Sequence, residues 1–293
     1  MGALVELYAE VGLLGAFALA FVAGAASFGI AHATRRGLGL AIVAAVIAIG
    51  TVLTLALLVD RARLASTPGT LEEARFVGDG PTAALLVLDR IPFTGRRKGF
   101  VYRLSSVRLA DGVRTARTVL KKPATWVGAA GGRAWWFAEE TGLTARDPAT
   151  LNVVAREKNL VDRNPTLAGG VREADLLADG ALLLHAKNGV SRFRLDPVTL
   201  VATLLAPDAP AVAPPARHGA HLTALLADPP GTASTDGRFI VRRTAAGAES
   251  WRHAAADEVR LLTAHGSNVV AVTADGTFAL DARTGAPRWV SPF

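Results

Sequence analysis

The chain has 293 residues, of which 51% are hydrophobic and 19% charged, and it carries a net charge of +7. An average soluble domain has about 25% charged residues, so the composition excludes a disordered chain and points to a membrane-embedded portion. There is no cysteine, which excludes disulfides, thiolate zinc sites, iron–sulfur clusters and cysteine nucleophiles.

The apolar excess is concentrated at the start. Residues 11–31 form a run of 21 without a charge, and residues 40–59 a run of 20. A bilayer core of about 30 Å needs roughly 20 apolar residues in a helix. Thr34-Arg35-Arg36-Gly37-Leu38-Gly39 separates the runs with charge and helix breakers, so residues 1–60 predict a transmembrane helical hairpin. The leader holds Glu6 and Glu10 and no basic residue, unlike the basic start of a cleaved signal peptide. Arg35 and Arg36 fill the short loop, which places that loop in the cytoplasm and both termini outside. Gly12, Ala16, Ala20 and Gly24 make a row of small residues suited to close helix packing, first against the second helix of the hairpin.

Residues 61–74 are expected to be a linker, with Ser66-Thr67-Pro68-Gly69 at its centre. Thr70 followed by Glu73 has the spacing of a capping box for a short helical turn. From about residue 75 to 293, short strand-like runs alternate with Gly, Asp and Pro turns, and helical periodicity is not evident. Residues 84–88, 181–185 and 268–273 are examples of such runs.

The strands repeat. Gly247-Ala248-Glu249-Ser250-Trp251 matches Gly285-Ala286-Pro287-Arg288-Trp289 at an offset of 38. Asp147-Pro148-Ala149-Thr150-Leu151 matches Asp196-Pro197-Val198-Thr199-Leu200 at an offset of 49. Asp281 and Thr284 keep the same frame, and a weaker copy ends at Leu109-Ala110-Asp111-Gly112. From Asp111 to Asp281 the chain takes four steps over 170 residues, a mean of 42.5, which is the length of a four-stranded propeller blade. The Asp side chain is suited to fix each turn by accepting backbone N–H groups. The Trp after the bend is suited to cover the seam with the next blade, because a blade cannot bury both its faces alone. Five blades are expected, near 73–122, 124–159, 168–206, 219–254 and 258–291. The Pro/Ala-rich residues 206–215 form a long loop between the third and fourth.

These residues resemble the pyrroloquinoline-quinone-like β-propeller repeats, also called quinoprotein alcohol dehydrogenase-like propellers. The resemblance covers about residues 75–293 and is most specific from Ala279 to Gly285 with Trp289. It implies an all-β propeller. In the enzymes of that family it would also imply a quinone, a calcium ion and a catalytic Asp on a ring of about eight blades. About 220 residues cannot make eight blades, and the adjacent cysteines of some of those enzymes are missing. Asp147, Asp196 and Asp281 are therefore read as turn residues together with Thr150, Thr199 and Thr284, and no cofactor, metal or catalytic residue is assigned.

His218 and His221 are a close pair without further ligands nearby. Trp135-Trp136-Phe137 is the densest aromatic cluster. On a strand its members alternate sides, so one Trp is expected between blades and its neighbour exposed. Residues 61–293 carry 30 basic and 22 acidic side chains. Arg96, Arg97, Lys98, Lys121 and Lys122 are the local basic clusters for surface docking, with Arg242 and Arg243 as a further pair. No nucleic-acid motif accompanies them.

The expectation is an integral protein of an inner or plasma membrane with its propeller outside the cytoplasm. It would be a non-enzymatic scaffold whose partners are the bilayer and a protein, not nucleic acid. Two alternatives stand beside it: a sensor or enzyme using the propeller funnel for a quinone or sugar, and a basic module docked on the membrane surface.

Overall fold

The computed structural model of the chain describes residues 46, 49–52, 54–55, 67–78, 80–92, 99–120, 122–206 and 222–293. The chain divides into two compact units, Met1–Pro68 and Gly69–Phe293. Most of the expected hairpin, with its Arg35–Arg36 loop and small-residue row, lies outside the described residues. Residues 46, 49–52 and 54–55 are helical. No helix among the described residues is long and apolar enough to cross a membrane.

The second unit is built of five four-stranded antiparallel meanders. Blade 1 is β1 (Thr70–Val77), β2 (Ala84–Pro92), β3 (Phe100–Arg108) and β4 (Arg114–Leu120); blade 2 is β5 (Thr125–Ala130), β6 (Arg133–Ala138), β7 (Gly142–Arg146) and β8 (Val153–Arg156). Blade 3 is β9 (Val171–Leu176), β10 (Leu182–Ala186), β11 (Arg192–Leu195) and β12 (Ala202–Leu204). Blade 4 is β13 (Thr223–Ala227), β14 (Pro230–Asp236), β15 (Phe239–Thr244) and β16 (Glu249–Ala254); blade 5 is β17 (Leu261–His265), β18 (Asn268–Val272), β19 (Gly276–Asp281) and β20 (Pro287–Pro292). Each blade is one continuous stretch of chain whose strands pair in sequence order, the architecture of a β-propeller.

Two local expectations are overturned. Thr70 to Glu73 is strand, not a helical turn: β1 buries Leu71, Ala74 and Val77 while pairing with β2 along its length, with a bulge between Leu71 and Glu73. The stretch read as linker therefore already contains the start of blade 1. Between blades 2 and 3 the chain forms α1 (Glu157–Arg163) where no helix was expected. Seven residues are too short to show a period, and the element is held by the side chains at its own two ends, which bond backbone groups of blades 2 and 3. Buried Asn164 donates to the Leu160 and Leu200 carbonyls at 2.8 and 2.9 Å and accepts from the Ala202 N–H at 2.7 Å. Glu157 accepts from the Leu143 and Val171 N–H groups at 3.0 and 3.2 Å.

The core is divided among the seams between blades. Blades 1 and 2 share a cluster around Leu86, Leu88, Leu104, Trp136 and Leu151. Blades 2 and 3 share one around Trp135, Leu143, Leu182, Phe193 and Leu200. Blades 4 and 5 share Leu226, Ile240, Leu262 and Leu280, and blades 5 and 1 share Leu85, Val87, Val270 and Val272. The expected pairing of a buried with an exposed Trp is corrected here: Trp135 and Trp136 do face opposite sides, but each enters a different seam and both are buried. A blade with neighbours on both faces exposes neither side.

Blade 1 also buries an ion pair. Asp89 on β2 stands opposite Arg103 on β3, each 1% exposed, with Arg103 Nε donating at 3.1 Å and Nη2 closing a second contact. Removing the carboxylate leaves the buried guanidinium without its opposite charge. Asp89→Ala is expected to cost about 3–5 kcal/mol, measured as a shift of the urea midpoint of the full chain in detergent.

Leu151 and Leu200 adopt φ of 58° and 62°, the left-handed region that costs a non-glycine residue about 1–2 kcal/mol. Both side chains are buried in seams, and that burial offsets the strain. At Leu200 the usual order of substitutions is therefore expected to reverse. Leu200→Ala keeps the strain and loses the packing, so it should be less stable than Leu200→Gly by about 1 kcal/mol, read from paired urea unfolding curves.

Candidate functional site

The third turn of each blade, between its third and fourth strands, carries the repeated motif. Asp147 Oδ1 accepts from the Ala149 N–H, the Thr150 N–H and the Thr150 hydroxyl at 3.0, 2.7 and 2.9 Å. Asp281 Oδ1 makes the same three contacts to Arg283 and Thr284 at 2.9, 2.8 and 3.0 Å. Asp196 accepts from the Val198 and Thr199 N–H groups at 2.8 and 3.1 Å, and Asp111 from Val113 at 3.1 Å. These backbone bonds hold the Asp147 and Asp196 carboxyls below their ordinary range, and at Asp111 the Arg108 guanidinium does so first and the Val113 N–H after it. At Asp281 the Thr284 N–H and then the Arg288 guanidinium push it down to about 2. Blade 4 has no Asp at this turn; there the Gly247 N–H donates to the Thr244 carbonyl at 2.9 Å.

Each of these turns contains one left-handed residue: Gly112, Leu151, Leu200, Gly247 and Gly285. Four residues further on, on the outer strand, stand Ala116, Ala155, Leu204, Trp251 and Trp289. In two seams the outer-strand residue of one blade lies on the turn residue of the next, and in two more the corresponding residues share an apolar cluster; in all four their sizes are complementary. Trp251 lies over Gly285, where an added Cβ would stand 2.8 Å from the ring, and its Nε1 donates to the Ala282 carbonyl at 3.1 Å. Trp289 covers Gly112 so closely that a Cβ there would overlap it. Ala116 joins Leu151 in one cluster and Ala155 joins Leu200 in another. A large side chain thus sits on glycine, and a leucine turn receives alanine.

The fifth pair is not engaged. Leu204 is 58% exposed, and nothing lies within 4 Å of a Cβ built on Gly247. Among the described residues no apolar cluster and no hydrogen bond joins blade 3 to blade 4. The sides away from the shared clusters are mixed. By strand register, Glu173, Asp175, Leu183, His185, Arg192 and Arg194 share that side of blade 3. Thr223, Leu225, Thr232, Ser234, Val241 and Arg243 share that of blade 4, where Val241 is buried. Leu225 is 79% and Val201 55% exposed beside them. A 380 Å³ depression on the blade 3 side is lined by Arg194, Asp196, Thr199, Val201 and Thr203.

The remaining sequence candidates are dispersed. Lys122 forms an exposed ion pair with Glu140 at 3.0 Å. Arg96, Arg97, Lys98, Lys121, His218 and His221 lie outside the described residues. Arg242 is buried and donates to the Pro229 carbonyl at 3.2 Å, while Arg243 is exposed. A second cavity of 660 Å³ lies between the first turns of blades 1 and 5, lined by Phe76, Leu109, Thr263 and His265 among others. The described residues contain no group of three His, Asp or Glu able to hold a metal. The sequence reading placed Trp251 and Trp289 over seams, where the structure has them, and missed the turn residues they cover and the Leu–Ala pairs. Those partners lie in the neighbouring blade, so no spacing within one repeat reveals them.

No protein-family model and no curated protein matches the chain. Among solved structures it is similar to BamB from Moraxella catarrhalis, at 13% identity over 74% of this chain and 60% of that one, with a TM-score of 0.28. It is similar to Sqt1 from Saccharomyces cerevisiae at 11% identity over 76% and 73% of the two chains, TM-score 0.25. A luciferin-regenerating enzyme matches at 12% identity over 77% and 78%, TM-score 0.26. The chain thus spans 60% of that BamB. The class is a five-bladed β-propeller-like repeat protein, and this rests on the five sheets themselves. No family match supports the narrower quinone-type assignment.

The size pairing predicts a compensating double substitution. Trp251→Ala and Gly285→Leu should each destabilise, by about 2–4 kcal/mol for the lost indole. Together they recreate the Ala–Leu pair of the neighbouring seams, so their combined effect should fall short of the sum by at least about 1 kcal/mol in a double-mutant cycle. A second expectation concerns acid. A carboxyl with a depressed folded pKa contributes stability that is whole above its unfolded value, about 3.9, and is lost as pH falls through the folded value. Thermal midpoints should therefore drop between about pH 4 and pH 2, and Asp281→Asn should flatten that drop.

Proposed function

We propose that this protein is a membrane-anchored, non-catalytic binding propeller that holds a partner protein at the bilayer through the unsealed side between blades 3 and 4. The observation that carries this reading is the contrast among the seams: among the described residues four have shared apolar clusters, and blades 3 and 4 share none, their sides there mixing charged and hydroxyl side chains with Leu183, Leu225 and Val241. Such a mixed surface suits a folded protein partner, because interface cores draw on a few apolar anchors within a polar rim. Anchoring is supported by the two uncharged runs of 21 and 20 residues. Within the second, the helical residues Val46 and Ile49 are 64% and 60% exposed, and the Thr54 hydroxyl is satisfied by the Gly50 carbonyl at 2.8 Å, as suits a helix in lipid. The propeller would lie outside the cytoplasm, with the Arg35–Arg36 loop inside.

A photo-crosslinking residue at position 225 in the full membrane protein should yield a discrete adduct, while the same residue at position 113 on blade 1 should not. Equal labelling at both positions, or none at either, would remove the support for this surface. A reporter fused after Phe293 should read outside the cytoplasm. A stoichiometric calcium–quinone adduct would replace the binding reading with the enzymatic one.

A further inference from the structure

The seam that joins the last blade to the first contains a cation without a counter-charge. By strand register, Asp89 on β2, Arg103 and Ser105 on β3, and Arg114 and Arg117 on β4 share the side of blade 1 that faces blade 5. Asp89 is held by Arg103. Arg114 reaches across the seam, where its Nη2 donates to the Pro292 carbonyl of blade 5. Among the described residues no carboxylate pairs with it, and its Nε is buried without a hydrogen-bond partner. Burial and then the charge of Arg103 lower the Arg114 pKa. Burial, then Arg114 and Arg103, push Arg117 down to about 10. Nearby negative charge would favour the protonated form of both.

Blade 5 brings hydroxyl groups to the same place. Thr277 and Ser291 are cross-strand partners on β19 and β20, adjoining Gly276 and Pro292 in the register. They lie on the side that carries Ala279 and Trp289 into the seam with blade 1. Thr277 is 0% and Ser291 6% exposed, and the Thr277 hydroxyl has no hydrogen-bond partner. A buried polar group is seldom left so without an ion or water to meet it. Water would satisfy the hydroxyl but would leave the charge of Arg114 unopposed.

We propose that the outer mouth of this seam binds a phosphate group, held by the Arg114 and Arg117 guanidiniums from blade 1 and the Thr277 and Ser291 hydroxyls from blade 5. Each of these groups can donate a hydrogen bond and two are cationic. A phosphate offers several strong acceptor oxygens and close to two negative charges, and guanidinium forks match its geometry. β4 and β20 are outer strands, with Thr115 and Pro292 exposed beside the arginines, so the ion enters from the rim. Bound there, it would tie the first blade to the last in addition to Trp289 on Gly112. This site goes beyond the protein-binding reading and does not depend on it.

The probes are inorganic phosphate and a short-chain phosphatidate, each titrated into the full chain in non-ionic detergent at constant ionic strength and followed by phosphorus NMR. Saturable binding of at least one is expected. Binding of inorganic phosphate assigns a free ion, and binding of the phosphatidate alone assigns a lipid headgroup. Arg114→Gln should weaken binding at least tenfold. Thr277→Val keeps the shape of the side chain and removes the unpartnered hydroxyl. Its urea midpoint without phosphate should therefore equal or exceed that of the unaltered chain, while its affinity for the probe falls at least tenfold, which separates a lost site from a lost fold. The bound probe should raise the midpoint of the unaltered chain and raise that of each variant less. Absence of saturable binding by both probes, or binding indifferent to Arg114→Gln or to Thr277→Val, overturns the proposal.

Discussion

The propeller depends on one steric constraint repeated around it: the left-handed residue of each third turn must fit the outer-strand residue of the preceding blade. The turn has to bend sharply, so its last residue takes positive φ. Glycine does this without strain and leaves a flat floor, on which an indole rests. Leucine does it at a cost, and its side chain then rises into the seam, where only alanine leaves room. The two solutions fill the same space from opposite sides. They occur as matched pairs, because a large residue on both sides would overpack the seam and a small one on both sides would leave a cavity.

This constraint explains which parts of the molecule were legible in the sequence. The Asp-x-x-Thr frame recurs because its hydrogen bonds are local, reaching only two or three residues along the chain, and local bonds leave fixed spacings. Blade boundaries could be read from it to within a few residues. The pairs across seams join residues that are 34 to 177 positions apart and involve side chains that differ from seam to seam. Trp251 and Trp289 stood out because tryptophan is rare; Ala116 and Ala155 did not. The helix Glu157–Arg163 was invisible for a related reason. Its stability comes from Asn164 and Glu157 bonding backbone groups of blades 2 and 3, not from an amphipathic period of its own. Thr70 and Glu73 misled in the other direction: a spacing that caps helices also occurs on a strand, and the pairing of Thr70–Val77 with β2, across a bulge at Leu71/Glu73, decided the outcome.

The same logic separates structural from functional chemistry among the charged residues. Asp147, Asp196 and Asp281 are committed to backbone N–H groups of their own turns, and their depressed pKa values follow from those bonds. A carboxylate held in that state is a poor proton acceptor near neutral pH. Asp89 is taken by Arg103. What distinguishes the unsealed side is therefore not a reactive group but the absence of the pairing that the rest of the domain obeys.

Every blade here is a single contiguous meander, and no strand is exchanged to close the ring. Stability in such a repeat is a sum of blade terms and nearest-neighbour seam terms, so leaving one seam unsealed forfeits that seam's contribution and none of the others. The first and last blades meet at the seam of blades 5 and 1, which is closed by Trp289 on Gly112, the Asn268 side chain bonding the Ala110 carbonyl at 3.4 Å and a shared apolar cluster. Among the described residues the shared clusters thus run 4–5–1–2–3, and blades 3 and 4 share none. Their sides there mix charged and hydroxyl side chains with Leu183, Leu225 and Val241, a composition that tolerates water and offers a few apolar anchors within a polar rim.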